Sequence, residues 1–215
     1  MSSTYTVKEG DHISGIAKSF GLPRDKIWND PNNAALKAQR VNPNVLFPGD
    51  QLFIPDMAVS QYDRPTDVTH KFILDEQTVK LCLVLEDMYE KPIAQAPCLL
   101  QLGSDSVKVT TDAAGKLQHD VPADLQEASL TIQAPQTPFE GARLRIKIGW
   151  LDPVTELTGQ QARLNNLGYA AGEVGVTDDD AMKSAVEEFQ CDHGLTVDGI
   201  CGPQTQASLK KVHGC

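Results

Sequence analysis

Two stretches decide how the first part of this 215-residue chain folds: Tyr5-Thr-Val-Lys-Glu-Gly-Asp-His-Ile-Ser-Gly-Ile-Ala-Lys-Ser-Phe-Gly21 and Asn42-Pro-Asn-Val-Leu-Phe-Pro-Gly-Asp-Gln-Leu-Phe-Ile-Pro55. Tyr5 to Val7 is a short β run, and Gly10-Asp11 interrupts it. Asp11 suits a helix N-cap, because its carboxylate can accept the free N–H groups of a first helical turn. Ile13, Ile16, Ala17 and Phe20 recur at i, i+3, i+4 and i+7, one apolar stripe of an amphipathic helix. Gly21 is the C′ residue this helix needs, free to take positive φ. Pro23 opens a second short helix that turns Ile27 and Trp28 inward, and Pro31 closes it. Pro48-Gly49 makes a turn, and Gln51 to Ile54 is a closing strand. The predicted order is β-α-α-β, in which the two strands pair with the helices packed on one face of the ribbon.

These residues resemble a LysM domain. The resemblance rests on Tyr-Thr-Val-x-x-Gly-Asp at 5–11, Ile-Ala-x-x-Phe-Gly at 16–21 and Pro-Gly-Asp-x-Leu-x-Ile-Pro at 48–55. The chain departs from the pattern at Asp30 to Arg40, which is longer than the family's usual link to the second strand. The resemblance implies binding of N-acetylglucosamine chains, as in peptidoglycan or chitin. It places the groove between Gly10, Asp11, His12 and Ile13 on one side and Asn44, Val45, Leu46 and Phe47 on the other. Backbone amides at a helix start can bond an acetamido carbonyl, and apolar side chains can cover a sugar face. The same residues also have plain structural uses, Asp11 as a cap and Ile13 in the core.

After this module the texture changes. Asp56 to Thr69 is polar, contains Arg64-Pro65 and has no periodicity, which reads as a linker. Val79, Leu81, Leu83 and Leu85 alternate with Lys80, Cys82 and Val84 in a period-two strand. Cys98–Leu102, Val107–Thr110, Ser129–Gln133 and Leu144–Ile148 are further strands, spaced by turns at Gly103-Ser-Asp105 and Asp112-Ala-Ala-Gly115. Short strands with frequent turns predict a β-sandwich. Leu85-Glu-Asp-x-x-x-Lys-Pro-Ile-Ala and Thr110-Thr-Asp-x-x-Gly-Lys-Leu resemble carboxypeptidase-regulatory or transthyretin-like sandwiches. That likeness implies a spacer or protein-contact domain, with Thr111, Asp112 and Gly115 in a tight turn. His70 and His119 sit in loop-like contexts and read as solvated.

Residues 152–215 return to helical periodicity. Thr158 is the expected cap of a helix carrying Ala162, Leu164 and Leu167 and ending at Gly168. Thr177 or Asp178 caps the next, whose stripe is Met182, Ala185, Val186 and Phe189; Gly194 ends it. Gly202-Pro203 starts a third helix with Leu209 and Val212 inward. Gln161-x-x-Leu-x-x-Leu-Gly-Tyr169, Ala185-x-x-x-Phe-Gln190, Gly194-Leu-x-Val-Asp-Gly199 and Gly202-Pro-x-Thr205 resemble the three-helix peptidoglycan-binding domain found beside many wall hydrolases. The resemblance implies a shallow contact surface around Tyr169, Asp198 and Thr205. The fold class is therefore multi-domain α+β: a βααβ module over 1–56, a linker over 57–69, an all-β sandwich over 70–149 and a three-helix domain over 150–215.

Net charge is −10 and uneven. Residues 1–56 balance six basic against six acidic residues, residues 57–149 hold nine against thirteen, and residues 150–215 four against ten. No basic stripe exists in the sequence to neutralise phosphates, which argues against nucleic-acid binding. The bacterial wall is itself anionic, so its attraction must come from short-range hydrogen bonds and stacking. No apolar run approaches the ~20 residues of a membrane span. The start, Met-Ser-Ser-Thr-Tyr-Thr-Val, lacks the basic and apolar regions of a secretory signal. The expectation is synthesis in the cytoplasm and action at the wall or periplasm after export by a non-Sec route. Cys82 and Cys98 read as small buried apolar residues. Cys191, Cys201 and Cys215, with His193 and His213, lack a common zinc spacing. Free thiols are the default, with a Cys201–Cys215 or Cys191–Cys215 disulfide as the alternative in an oxidising compartment.

No acid/base pair, zinc triad or nucleophile arrangement is legible, so no catalytic residue, metal or cofactor is assigned. The reading is a non-catalytic peptidoglycan-binding protein. The phrase Trp28-Asn-Asp-Pro-Asn-Asn-Ala-Ala-Leu…Arg40-x-Asn-Pro-Asn-Val-Leu resembles LysM proteins carried near type VI secretion spikes, which implies an accessory or cargo component with a spike or toxin protein as partner. The alternatives are a structural adaptor that contacts such a partner without binding glycan, and a wall-degrading effector.

Overall fold

A computed structural model of the chain describes residues 2–57, 63–71, 77–89, 91–135 and 137–214. The chain falls into two units: Met1–Ser3, Ile13–Ile27 and Ile54–Ile148 form one, and Thr4–His12, Trp28–Phe53 and Gly149–Cys215 the other.

In the second of these, β1 (Ser3–Thr6) pairs with β2 (Gln51–Ile54) as a two-stranded ribbon. Val7 N–H donates to the Asp50 carbonyl at 2.9 Å and Gly49 N–H to the Val7 carbonyl at 2.9 Å, so the expected Pro48-Gly49 turn is in place. The extra length at Asp30–Arg40 is helical. Helices α1 (Ile13–Ser19) and α2 (Arg24–Trp28) are followed by a 3-10 turn at Pro31–Asn33 and by α3 (Ala34–Arg40). α2 ends at Trp28, ahead of Pro31, in line with the expected stop, and Pro31 has a further role. It opens the 3-10 turn, where its missing N–H costs nothing and the Asp30 carboxylate accepts from Asn32 N. Asn33, 1 % exposed, donates its amide N–H to the Phe53 carbonyl and accepts from Phe53 N–H, both at 2.8 Å. One side chain thus imitates a strand partner for β2 and satisfies polar groups that burial would otherwise penalise.

The same unit holds α4 (Leu157–Asn166), α5 (Asp179–Asp192) and α6 (Pro203–His213). Their core is Val154, Leu164, Ala171, Ala185, Val186, Phe189 and Leu209. Asp178 caps α5 as predicted, its carboxylate accepting from Ala181 N at 3.0 Å. Two expectations are corrected. Glu156, not Thr158, is the N-cap of α4, and the Thr158 hydroxyl instead donates to the Asp152 carboxylate at 2.6 Å. Val212, expected inward, is 42 % exposed in the last turn of α6.

The other unit contains α1, whose Ile13, Ser14, Ile16 and Ala17 are buried, and the sandwich. Gly21 takes φ 64°, as the C′ role requires. β3 (Thr78–Val84) pairs with β6 (Lys116–Pro122). A second sheet runs in the order β5-β4-β7-β8, from β4 (Pro97–Leu102), β5 (Asp105–Thr110), β7 (Glu127–Ile132) and β8 (Arg143–Lys147). Leu81, Leu83 and Leu117 of the small sheet and Cys98, Leu100, Leu130 and Ile132 of the large one share a core. The expected tight turn is present. Thr111, 1 % exposed, donates its hydroxyl to Ile93 O at 2.6 Å and accepts from Ala96 N at 2.9 Å, while Asp112 accepts from Ala114 N and Lys116 N. His119 lies in β6 opposite Leu81, not in a loop, and Cys82 is exposed on the outward face of β3, not buried.

Candidate functional site

The first predicted groove wall is a turn held by its own residues. Gly10 adopts φ 83°. The Asp11 carboxylate accepts from the Tyr5 hydroxyl at 2.8 Å and from Lys8 N–H at 2.8 Å. These bonds run back towards β1, so Asp11 closes the strand-to-helix turn. Burial, then the bond to Asp11 and its charge, pushes the Tyr5 phenol up to about 12. Gly10 is buried, His12 is 5 % exposed and Ile13 is fully buried.

Part of that burial comes from Gly149 and Trp150, in the same unit as Gly10 and His12. A Cβ placed on Gly10 would lie 3.0 Å from the Trp150 indole Cε2 and 3.2 Å from its Nε1. A Cβ on Gly149 would lie 2.5 Å from the Gly10 carbonyl and 2.6 Å from His12 Cδ2. Gly149 also takes φ 84°, so both its conformation and its surroundings call for glycine. The outer side of the Gly10–His12 turn is thus occupied by the chain itself.

The second predicted wall is braced from behind. Arg40 and Asp50 form a bidentate pair, Nε–Oδ2 and Nη2–Oδ1 both 2.7 Å, with side chains 10 % and 9 % exposed. The bond to Asp50 raises the Arg40 pKa further, against the opposing effect of burial. Asp50 also accepts from Phe47 N–H at 2.9 Å, and the guanidinium carbon lies 5.7 Å from the Phe47 ring centre. Asn44 N–H is held by the Asn42 side chain at 2.9 Å. Val45 and Leu46 are core residues, 7 % and 3 % exposed. Of the eight expected contact residues, Asp11, Asn44 and Phe47 keep half-exposed side chains; Gly10, His12, Ile13, Val45 and Leu46 are buried.

In the three-helix domain the organiser is Gln190, 1 % exposed at the inner face of α5. Its carbonyl accepts from Asp198 N at 2.9 Å and Gly199 N at 3.0 Å. Its amide N–H groups reach Asp198 Oδ1 at 2.8 Å, Thr205 Oγ1 at 3.0 Å and Ile200 O at 3.1 Å. The expected contact residues Asp198 and Thr205 are thereby brought together, and both bond inward. The amide of Gln190 and the N–H of Ile200 hold the Asp198 carboxyl below its ordinary value. Outside them is a shallow depression of about 180 Å³ edged by Thr196, Ile200, Pro203 and Gln204. That is smaller than a typical small-molecule pocket and suits one functional group of a polymer rather than a whole sugar unit. Tyr169 does not line it. Its hydroxyl donates to Asp192 at 3.0 Å and its ring meets Phe189 edge-on at 5.5 Å. Gln161, fully buried, ties the Ala171–Val176 loop through Val176 O at 2.9 Å and Gly175 N at 3.0 Å.

Gln161 and Gln190 stand in family-like motifs of the sequence, but their structural tasks, and that of Trp150, emerge only in the fold. A polar residue directly following an apolar stripe, as Gln190 follows Phe189, is the one signal that was available. Among the described residues Cys82, Cys98, Cys191 and Cys201 are free thiols, and no group of three His, Cys, Asp or Glu could hold a metal; Cys215 lies outside them. Burial pushes the Cys201 thiol up to about 11.

No curated protein and no solved structure matches the chain. Two families do: residues 5–55 match the LysM domain and residues 156–209 the peptidoglycan binding domain. In sequence order, then, this chain carries a LysM domain, a β-sandwich and a peptidoglycan-binding domain.

Proposed function

We propose that the chain is a non-catalytic peptidoglycan-binding protein that holds the wall by two modules at once. The observation that carries this is the presence of two unrelated wall-binding domains in one polypeptide. Two weak sites joined by a chain raise each other's effective concentration, so a polymer offering many repeats is held far better than by either module alone. The half-exposed Asp11, Asn44 and Phe47 and the depression beside Asp198 and Thr205 are the contact candidates. Pull-down on purified sacculi tests it. The full chain is expected in the pellet, and each isolated module to be retained about tenfold less or weaker. Recovery of the full chain wholly in the supernatant would overturn the proposal.

A second reading is favoured by the indole lying over Gly10. If the LysM surface serves to dock the protein's own segments, the chain is an adaptor for a secretion spike or toxin. The Trp28–Leu46 phrase supports carriage with a contractile, type VI-like particle, and action at the wall. A stable complex with a spike or toxin protein, without sacculus binding, is the result that would select this reading.

A further inference from the structure

The large sheet of the sandwich has one face in the core and one outward. Strand register places the outward residues in rows: Lys108, Leu99, Thr131 and Arg143 in one, and Ser106, Gln101, Ser129 and Arg145 in the next. Lys147 and Glu127 continue the pattern. Four cations and one carboxylate therefore share a face, in a segment where acidic residues outnumber basic ones thirteen to nine. Glu127 is already engaged by Arg145 at 3.3 Å, and that Arg145 side chain is 80 % exposed. Arg143 Nη2 donates to Ser129 Oγ at 3.1 Å. Arg143 and Arg145 line an open depression of about 550 Å³ together with Gln101, Ser129 and Glu127. Charges on an edge strand also guard it against pairing with other chains. That role accounts for Lys108 on β5 and for the cations of β8, both edge strands, but needs no polar hollow beside Arg143 and Arg145.

We infer that this outward face of the sandwich binds free carboxylates of the wall's peptides, as a third contact beside the two end modules. The inference rests on the proposed wall-binding function. Planar guanidinium groups match carboxylates in fork geometry, and the hollow takes a carboxylate together with adjoining peptide. Gln101 and Ser129 offer both donor and acceptor atoms for that peptide's amides. The wall polymer is anionic and the chain is net −10, so this face is where charge complementarity between them lies.

The test uses the full chain with Arg143→Gln and Arg145→Gln together, and a second variant with Arg143→Lys and Arg145→Lys. Binding is measured to purified sacculi, and to sacculi whose free carboxylates have been converted to amides, over a range of salt. The glutamine pair is expected to bind about fivefold more weakly at low salt and with a flatter salt dependence. The lysine pair retains most of the binding. Amidated sacculi weaken the wild type to the level of the glutamine pair and leave that variant unchanged. Sacculus binding that is the same in wild type and glutamine pair, with the same salt slope, overturns this inference alone. No sacculus binding by the wild type overturns the wall-binding proposal with it. Preference of the wild type for soluble polyglutamate over sacculi overturns the inference in favour of an acidic protein partner.

Discussion

The Gly10–His12 turn and the Asp198–Thr205 turn are the two places where the chain is expected to meet a glycan, and they are built alike from beneath. Each is fastened by a polar side chain bonded to loop backbone: Asp11 takes Lys8 N–H in one, and Gln190 takes Asp198 N–H and Gly199 N–H in the other. They differ above. The C-terminal turn opens onto a depression, whereas the N-terminal turn lies against Gly149 and Trp150. The lesson is that motif residues fix a loop's conformation, while a distant segment fixes its accessibility. A family match therefore carries the shape of a binding loop further than its availability.

The largest effect is expected where the loop depends on a single side chain. Gln190→Ala removes every bond that holds Asp198, Gly199 and Thr205 to α5. It leaves the part-buried N–H groups of Asp198 and Gly199 without their acceptor and opens a cavity at the inner face of α5. Together these cost about 3 kcal/mol, read as a lower urea midpoint. Sacculus retention through the C-terminal module should fall with it. A variant as stable as the wild type would show that the C-terminal turn is held by other contacts, and the likeness between the two turns would break.

What was legible followed from local chemistry. The β1–β2 ribbon was readable because Pro48-Gly49 and the alternating Leu52 and Ile54 are adjacent signals. The stripe Ala185, Val186 and Phe189 on α5 was readable because it buries one continuous face. Helix α3 was not, since it buries Leu36 alone and shows no stripe. β6 escaped because Gln118, His119 and Asp120 are polar, and only Leu117 and Val121 of the strand are fully buried. The tasks of Trp150, Asn33 and Gln190 depend on partners 140, 20 and 8 to 15 residues away, beyond any periodicity. The candidate residues were thus identified by type and position, but which of them face solvent was decided by packing.

The second effect bears on the covered turn. Trp150→Ala removes the indole from Gly10 while leaving the backbone of the turn and the Tyr5–Asp11 bond intact. Losing a half-buried aromatic contact should cost about 2 kcal/mol of stability. If the turn is a glycan site in competition with its own cover, binding of N-acetylglucosamine oligomers should rise about threefold, since the competent fraction increases. Calorimetric titration of wild type and variant decides it. Unchanged or weaker binding would mean that the indole is part of the fold of this turn, and would favour the adaptor reading.

The smallest expected difference is acid sensitivity on the C-terminal side. His213 lies in the last turn of α6, with its Nε2 3.1 Å from Asn166 Nδ2. The amide is a donor, so the ring accepts there and is neutral with its proton on Nδ1. A helix C-terminus favours a charged histidine. Burial, reinforced by the positive charge of Arg163, outweighs it and pushes the pKa down to about 4. The unfolded chain, with an ordinary histidine near 6.5, therefore binds more protons between these values. The stabilisation is complete above pH 6.5 and is lost as pH falls towards 4. For a partly exposed ring the loss between pH 7.5 and 5 should be about 1 kcal/mol. His213→Gln keeps a neutral hydrogen-bonding group and removes the titration, so its urea midpoint should change less over that interval than the wild type's. An equal fall in both would place the acid sensitivity elsewhere in the molecule and remove this distinction between the two modules.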